Sequence, residues 1–186
     1  MNTNTIEVAI LIGSLRKESF SRKIANTLIE LAPATMKLTI VEIGELPLYN
    51  PDMDEAPPKQ WVVFRDSMQL KNAVLFVTPE YNRSMPAAIK NALDVGSRPY
   101  GKSIWNSKPG AIISASPGAI GGFGANHHLR QSLVFLNVPT MPQPEAYISG
   151  VDKLINAEGK VENPSTRDFL TKFLNAFNSW IEHNAK

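Results

Sequence analysis

The chain has no cysteine, which excludes disulfides, thiolate metal sites and a cysteine nucleophile. It also lacks a long hydrophobic run. No stretch approaches ~18 apolar residues, no basic leader opens the chain, and Glu7 flanks the first short apolar segment, so neither a membrane span nor a signal peptide is expected and a cytoplasmic protein is. A strong charge of one sign is missing too: a net charge of +2 and a pI near 8.8 do not argue for a nucleic-acid partner. The strand-to-helix loop at 13–21 carries neither G-x-x-x-x-G-K-[ST] nor G-x-G-x-x-G, which disfavours a magnesium triphosphate and a Rossmann-type pyrophosphate there. No G-x-S-x-G elbow surrounds Ser114 or Ser116, and the adjacent His127 and His128 diverge on a helix, so neither a serine hydrolase nor a histidine-chelated metal is expected.

What is present describes one folded unit of 186 residues, 43% hydrophobic and 19% charged, read as a single domain over 1–186. Apolar runs at 8–12, 37–41, 73–78 and 111–116, and a shorter one at 138–141, read as strands. Between them lie helix-period segments carrying Ile24, Leu28 and Leu31; Trp61, Phe64 and Met68; Ile89, Ala92, Leu93 and Gly96; and Leu129, Leu133 and Leu136. Pro86 is placed at the start of the third helix. The proline-rich stretch 47–58 is a long loop within an acidic region, 97–108 is irregular, and an excursion from Tyr147 to Glu162 turns at Glu158-Gly159. A final amphipathic helix carries Phe169, Phe173, Ala176, Phe177, Trp180 and Ile181, with Ser165 as its cap. Alternating apolar strands and helices predict an α/β protein with a parallel sheet covered on both faces.

Ligands of such sheets bind beyond the carboxyl ends of the strands. Three loops meet that description: 13–21, 79–84 and 116–124. The first, Gly13-Ser14-Leu15-Arg16-Lys17-Glu18-Ser19-Phe20-Ser21, joins a strand to a helix start, where unpaired N–H groups and the macrodipole favour an anion. Its hydroxyls and basic side chains suit a monophosphate, although a serine there can simply cap the helix. The second offers Tyr81 and Asn82, and the third is nearly uncharged and rich in glycine. A phosphate at one end and a flat polar ring at the other describe a mononucleotide. Were the ring a flavin, the protein would need no catalytic acid, base or metal of its own.

The ordered segments Gly13-Ser14-Leu15-Arg16-x-x-Ser19, Thr78-Pro79-Glu80-Tyr81-Asn82-x-Ser84-x-Pro86, Lys90-Asn91-Ala92-x-Asp94 and 114–122 resemble the NAD(P)H-dependent FMN reductase family, with its chromate, quinone and azo-dye reductases, over about residues 6–148. The resemblance implies a flavodoxin-like three-layer sandwich with strand order 2-1-3-4-5, noncovalent FMN, NADPH or NADH as co-substrate, and homodimers or homotetramers. It implies that Ser14, Arg16, Ser19 and Ser21 hold the FMN phosphate, that Pro79, Glu80, Tyr81 and Asn82 line the ribityl chain and ring edge, and that Ser116, Pro117, Gly118, Gly121 and Gly122 contact the isoalloxazine. The activity it implies is ping-pong electron transfer from the nicotinamide to a quinone, azo compound, free flavin or metal oxyanion such as chromate. A flavin-binding electron carrier or redox sensor without nicotinamide turnover is the alternative, and a flavin-free phosphate-binding regulatory protein is a third. Two departures stand out. Val95-Gly96 follows Asp94 where family members commonly place Trp, and Arg83 stands where an aromatic is frequent.

Overall fold

In the computed structural model, residues 5–184 are described. Five strands form one sheet: β1 (Ile6–Ile12), β2 (Met36–Ile40), β3 (Ala73–Thr78), β4 (Gly110–Ser116) and β5 (Ala146–Ser149). Every neighbouring pair is parallel, and the order is β2-β1-β3-β4-β5, the expected 2-1-3-4-5. The helices are α1 (Phe20–Leu31), α2 (Lys59–Gln69), α3 (Ala87–Gly96), α4 (Phe123–Phe135), the short α5 (Val151–Leu154) and α6 (Pro164–Asn184).

Side-chain alternation along the strands divides the core in two. Val8, Ile10 and Ile12 of β1, with Leu75 and Val77 of β3, face α1 and α6, where Ile24, Leu28, Phe173 and Phe177 are buried. Ala9, Leu11, Val74 and Phe76 face α2, α3 and α4, meeting Trp61, Phe64, Ile89, Leu129 and Leu133. This is the three-layer flavodoxin-like sandwich. Among the described residues no helix is long and apolar enough to cross a membrane.

Three local expectations need correction. The fifth strand is Ala146–Ser149, not 138–141. Residues 138–141 do run beside the start of β4, through Gly110 N–H to Pro139 O (3.0 Å) and Met141 N–H to Gly110 O (2.8 Å), but make only the isolated bridge Gly110–Thr140. Pro139, Pro142 and Pro144 cannot donate to a ladder, so regular pairing resumes only after them. The cap of α6 is Asn163, whose Oδ1 accepts from Thr166 N–H at 3.0 Å; Ser165 lies inside the helix and donates its hydroxyl to the same oxygen. Pro86 is the residue before the first turn of α3, which begins at Ala87.

The Val95-Gly96 departure has a packing answer. A Cβ on Gly96 would stand 2.6 Å from the indole of Trp105, which is fully buried and donates Nε1–H to Leu93 O at 2.9 Å. An aromatic from the irregular 97–108 segment thus fills the space over the end of α3. Trp61 is likewise buried, donating to Pro47 O, which makes both tryptophans packing residues.

Candidate functional site

The sheet order reverses between β1 and β3, and the loops following those two strands open the crevice where ligands of such sheets bind. Gly13 N–H donates to Val77 O at 2.9 Å, so the first loop leaves β1 pressed against the end of β3. A Cβ on Gly13 would lie 2.6 Å from Thr78 Oγ1 and 3.0 Å from Pro79, so glycine is required for that approach.

Ser19 is the N-cap of α1, its Oγ accepting from Arg22 N–H at 3.2 Å. Its carbonyl accepts from Lys23 N–H at 3.1 Å. Helical geometry leaves the N–H groups of Phe20 and Ser21 without intrahelical acceptors. Capping explains Ser19 but not Ser21, whose hydroxyl is buried and has no hydrogen-bond partner among the described residues. Buried polar atoms are almost always satisfied, so an orphan in a cavity wall points to a ligand.

That wall belongs to a cavity of about 130 Å³ lined by Ser14, Arg16, Ser19, Phe20 and Ser21 from the first loop, Pro79, Glu80 and Tyr81 from the second, and Ala115, Ser116 and Pro117 from the third. All three loops therefore meet at one cavity. Phe20 and Ala115 were not singled out by sequence; their place is set by chain direction and carries no chemical signal. The volume is well below the roughly 300–1,000 Å³ of a pocket that encloses a drug-sized ligand. It suits the phosphate end of a mononucleotide, with the ring outside against the exposed loop surfaces.

Asn82, Gly118, Gly121 and Gly122 lie off this cavity. Asn82 and Arg83 form the tip of a tight hairpin closed by reciprocal Tyr81–Ser84 backbone bonds of 3.0 Å, both at positive φ (50° and 63°). Gly118 N–H donates to Ser116 Oγ at 3.1 Å, and Ser149 Oγ–H to Ala119 O at 2.7 Å, holding the third loop against β5. Gly121 and Gly122 are left-handed (φ 59° and 80°) and sit over Tyr147 and Ser114, too close for a side chain.

The electrostatics favour an anion. Arg22 is committed to Glu42 at 2.8 Å and Lys23 to Glu18 at 2.9 Å. The Lys23 ammonium holds the Glu18 carboxyl below its ordinary range, so the loop's one acid is already neutralised. Arg16 and Lys17 make no ion pair among the described residues and remain to attract a charged ligand. Arg83 is 74% exposed and pairs with Glu80 at 3.3 Å. His127 and His128 diverge as expected: one ring nitrogen of His127 meets Tyr147 OH at 2.9 Å, while His128 meets Ser84 Oγ at 2.9 Å.

The residues present thus fit a flavin mononucleotide: an orphaned hydroxyl, a helix start and free cations for the phosphate, and an open, largely uncharged loop surface for the ring. Comparison with known proteins agrees. Residues 6–153 match the family described as NADPH-dependent FMN reductase. A quinone reductase of Pseudomonas putida is 60% identical over 95% of both chains. A 2-hydroxy-1,4-benzoquinone reductase of a Burkholderia species is 43% identical over 95% of this chain and 96% of its own. Among solved structures, FerB of Paracoccus denitrificans, a flavoenzyme NAD(P)H:(acceptor) oxidoreductase, superposes with a TM-score of 0.92 at 40% identity, covering 98% of this chain and all of its own.

Proposed function

This chain belongs to the NADPH-dependent FMN reductase family, and from that premise we propose that it is a quinone reductase whose FMN is held by the three loops around the 130 Å³ cavity. It is an NAD(P)H-dependent oxidoreductase of the flavodoxin-like fold with FMN as its cofactor. The observation that carries the site is the unpartnered Ser21 hydroxyl, buried in the cavity wall at the start of α1. Ser14, Arg16, Ser19 and Ser21 receive the phosphate, Pro79, Tyr81, Asn82 and the backbone of Glu80 border the ribityl chain and ring edge, and Ser116, Pro117, Gly118, Gly121 and Gly122 form the surface beneath the ring. The chemistry FMN supplies when bound is two-electron transfer from the nicotinamide to the acceptor, in a ping-pong cycle. The protein's share is orientation and charge: first-turn N–H groups and Arg16 balance the phosphate, and Tyr81 borders the ring.

A quinone is favoured as acceptor because relatives at 60% and 43% identity carry quinone reductase names. NADPH is favoured over NADH because Lys17, which makes no ion pair among the described residues, is left to meet a further phosphate. The whole chain, 1–186, acts as one FMN-binding unit, cytoplasmic and homo-oligomeric. The exposed side chains Tyr100, Val134 and Phe135 (92%, 77% and 90%) near the α3–α4 groove supply an apolar surface for self-association. Steady-state kinetics of the FMN-loaded enzyme test the reading. Parallel double-reciprocal lines with NADPH and a benzoquinone, a higher kcat/KM with NADPH than NADH, and slower turnover with azo dye, chromate or free flavin are expected. Intersecting lines would refute ping-pong turnover, and faster turnover with another acceptor would displace the quinone.

A further inference from the structure

Helix α4 starts at a left-handed Gly122 with no capping hydrogen bond from that residue's own position. Its first turn nevertheless needs acceptors. Glu80, 45 residues earlier, supplies one from the second loop: Oε2 accepts from Ala125 N–H at 3.1 Å. Oε1 of the same carboxylate accepts from Arg83 Nη1 at 3.3 Å, and the Glu80 side chain is only 10% exposed. The fit leaves no slack. A Cβ on Gly124 would stand 3.0 Å from Glu80 Oε2 and 2.7 Å from Arg83 O, so the helix start and the hairpin are in direct contact. A carboxylate at a helix N-terminus is also where the macrodipole favours it.

We propose that Glu80 is a positioning residue: its carboxylate clasps the 79–84 hairpin to the start of α4 and so holds the second and third loops in register, instead of meeting the flavin. This rests on the three-loop FMN site of the preceding section. Both loops flank the cavity; Ser84 Oγ meets a ring nitrogen of His128 at 2.9 Å further along α4, and the Glu80 carboxylate is the tie that reaches the helix's first turn, next to the third loop. With the clasp in place the two walls stand preorganised; without it, FMN binding must itself order the first turn of α4 and the third loop against the hairpin, and weakens accordingly.

The test uses the full-length protein, FMN titration of the apoprotein by fluorescence quenching, and amide hydrogen exchange of the FMN-free form. Glu80→Ala is expected to weaken FMN about tenfold or more, and to speed exchange in 79–84 and 116–126 while leaving β1 and α6 unchanged. Glu80→Gln keeps an oxygen that can accept from Ala125 N–H, and is expected to stay within about threefold of the parent. Parent-like FMN affinity in Glu80→Ala would overturn the proposal. So would an equal loss in Glu80→Gln, which would assign the charge a direct role toward FMN. If Glu80→Ala does not fold, Glu80→Asp, one methylene too short to span the gap, is expected to give the same local exchange and weaker FMN, and parent-like behaviour would again overturn the clasp. Exchange in the FMN-free protein does not depend on where FMN binds, so failure of the three-loop site, seen as unchanged FMN affinity in Ser21→Ala, is distinguishable from failure of the clasp.

Discussion

Two serines two positions apart do different work at the start of α1. Ser19 caps the helix, while the hydroxyl of Ser21 is buried without a partner. Ser19→Ala is therefore expected to cost about 1 kcal/mol and lower the melting temperature. Ser21→Ala is expected to leave the melting temperature of the FMN-free protein unchanged or slightly raised, since it removes an unsatisfied buried group, yet to weaken FMN by roughly tenfold, the loss of one hydrogen bond to a charged group. Thermal melts and FMN titrations of the two variants check this; a destabilised Ser21→Ala with unaltered FMN affinity would reverse the assignment. The cluster of hydroxyls was legible in the sequence, but the division of labour was not. Which serine caps the helix and which is left unpartnered in the cavity wall depends on the angle at which β1 delivers the loop. Glu80 shows the same limit: its partner, Ala125 N–H, is a backbone group with no identity a sequence can display.

At the level of elements, continuous apolar runs located β1 to β4, the central ones buried on both faces, and the 3.6-residue period located the long helices. It failed at β5, a strand of four residues whose signal is weaker than that of the proline-interrupted segment before it. In α6 it marked Phe173 and Phe177 but passed over Leu170 and Leu174, which are fully buried where the helix packs beside α1. The N-terminal edge of the sheet holds a charged device that no periodicity reveals. Glu7 at the start of β1 bridges Lys37 (3.0 Å) and Lys71 (2.8 Å), while Lys108 Nζ donates to Lys71 O. Burial pushes the Lys108 ammonium down from 10.5 to about 8. Folded protein therefore binds fewer protons than unfolded protein between those values, and stability rises with pH across that window; below pH 8 the buried charge is a standing cost. Lys108→Met is expected to flatten this rise and to gain on the order of 1–2 kcal/mol at pH 7, after the loss of one hydrogen bond. Urea denaturation at pH 7 and pH 10 measures both effects. An unchanged pH slope would contradict them.

For the whole molecule, the strand order came from a resemblance carried by four motifs and not from periodicity, and the structure bears it out. The surface proposed for self-association leaves a weaker trace in sequence, because Tyr100, Val134 and Phe135 read as ordinary apolar residues until the fold leaves them exposed. If that face is the subunit contact, Phe135→Asp places a carboxylate in it and is expected to shift the sedimentation coefficient toward that of a 20.5 kDa monomer, with the fold intact by circular dichroism. A monomeric parent, or an unshifted variant, would contradict the assignment of that surface.

The central claim is that three loops at the carboxyl end of this sheet hold an FMN that NADPH reduces. An absorbance scan of the purified protein, loaded with FMN and then given NADPH without oxygen, tests it most directly. The account predicts a flavin band that bleaches with NADPH and returns when a benzoquinone is added. A protein that stays colourless after incubation with FMN, or a bound flavin that NADPH leaves oxidised, would contradict it.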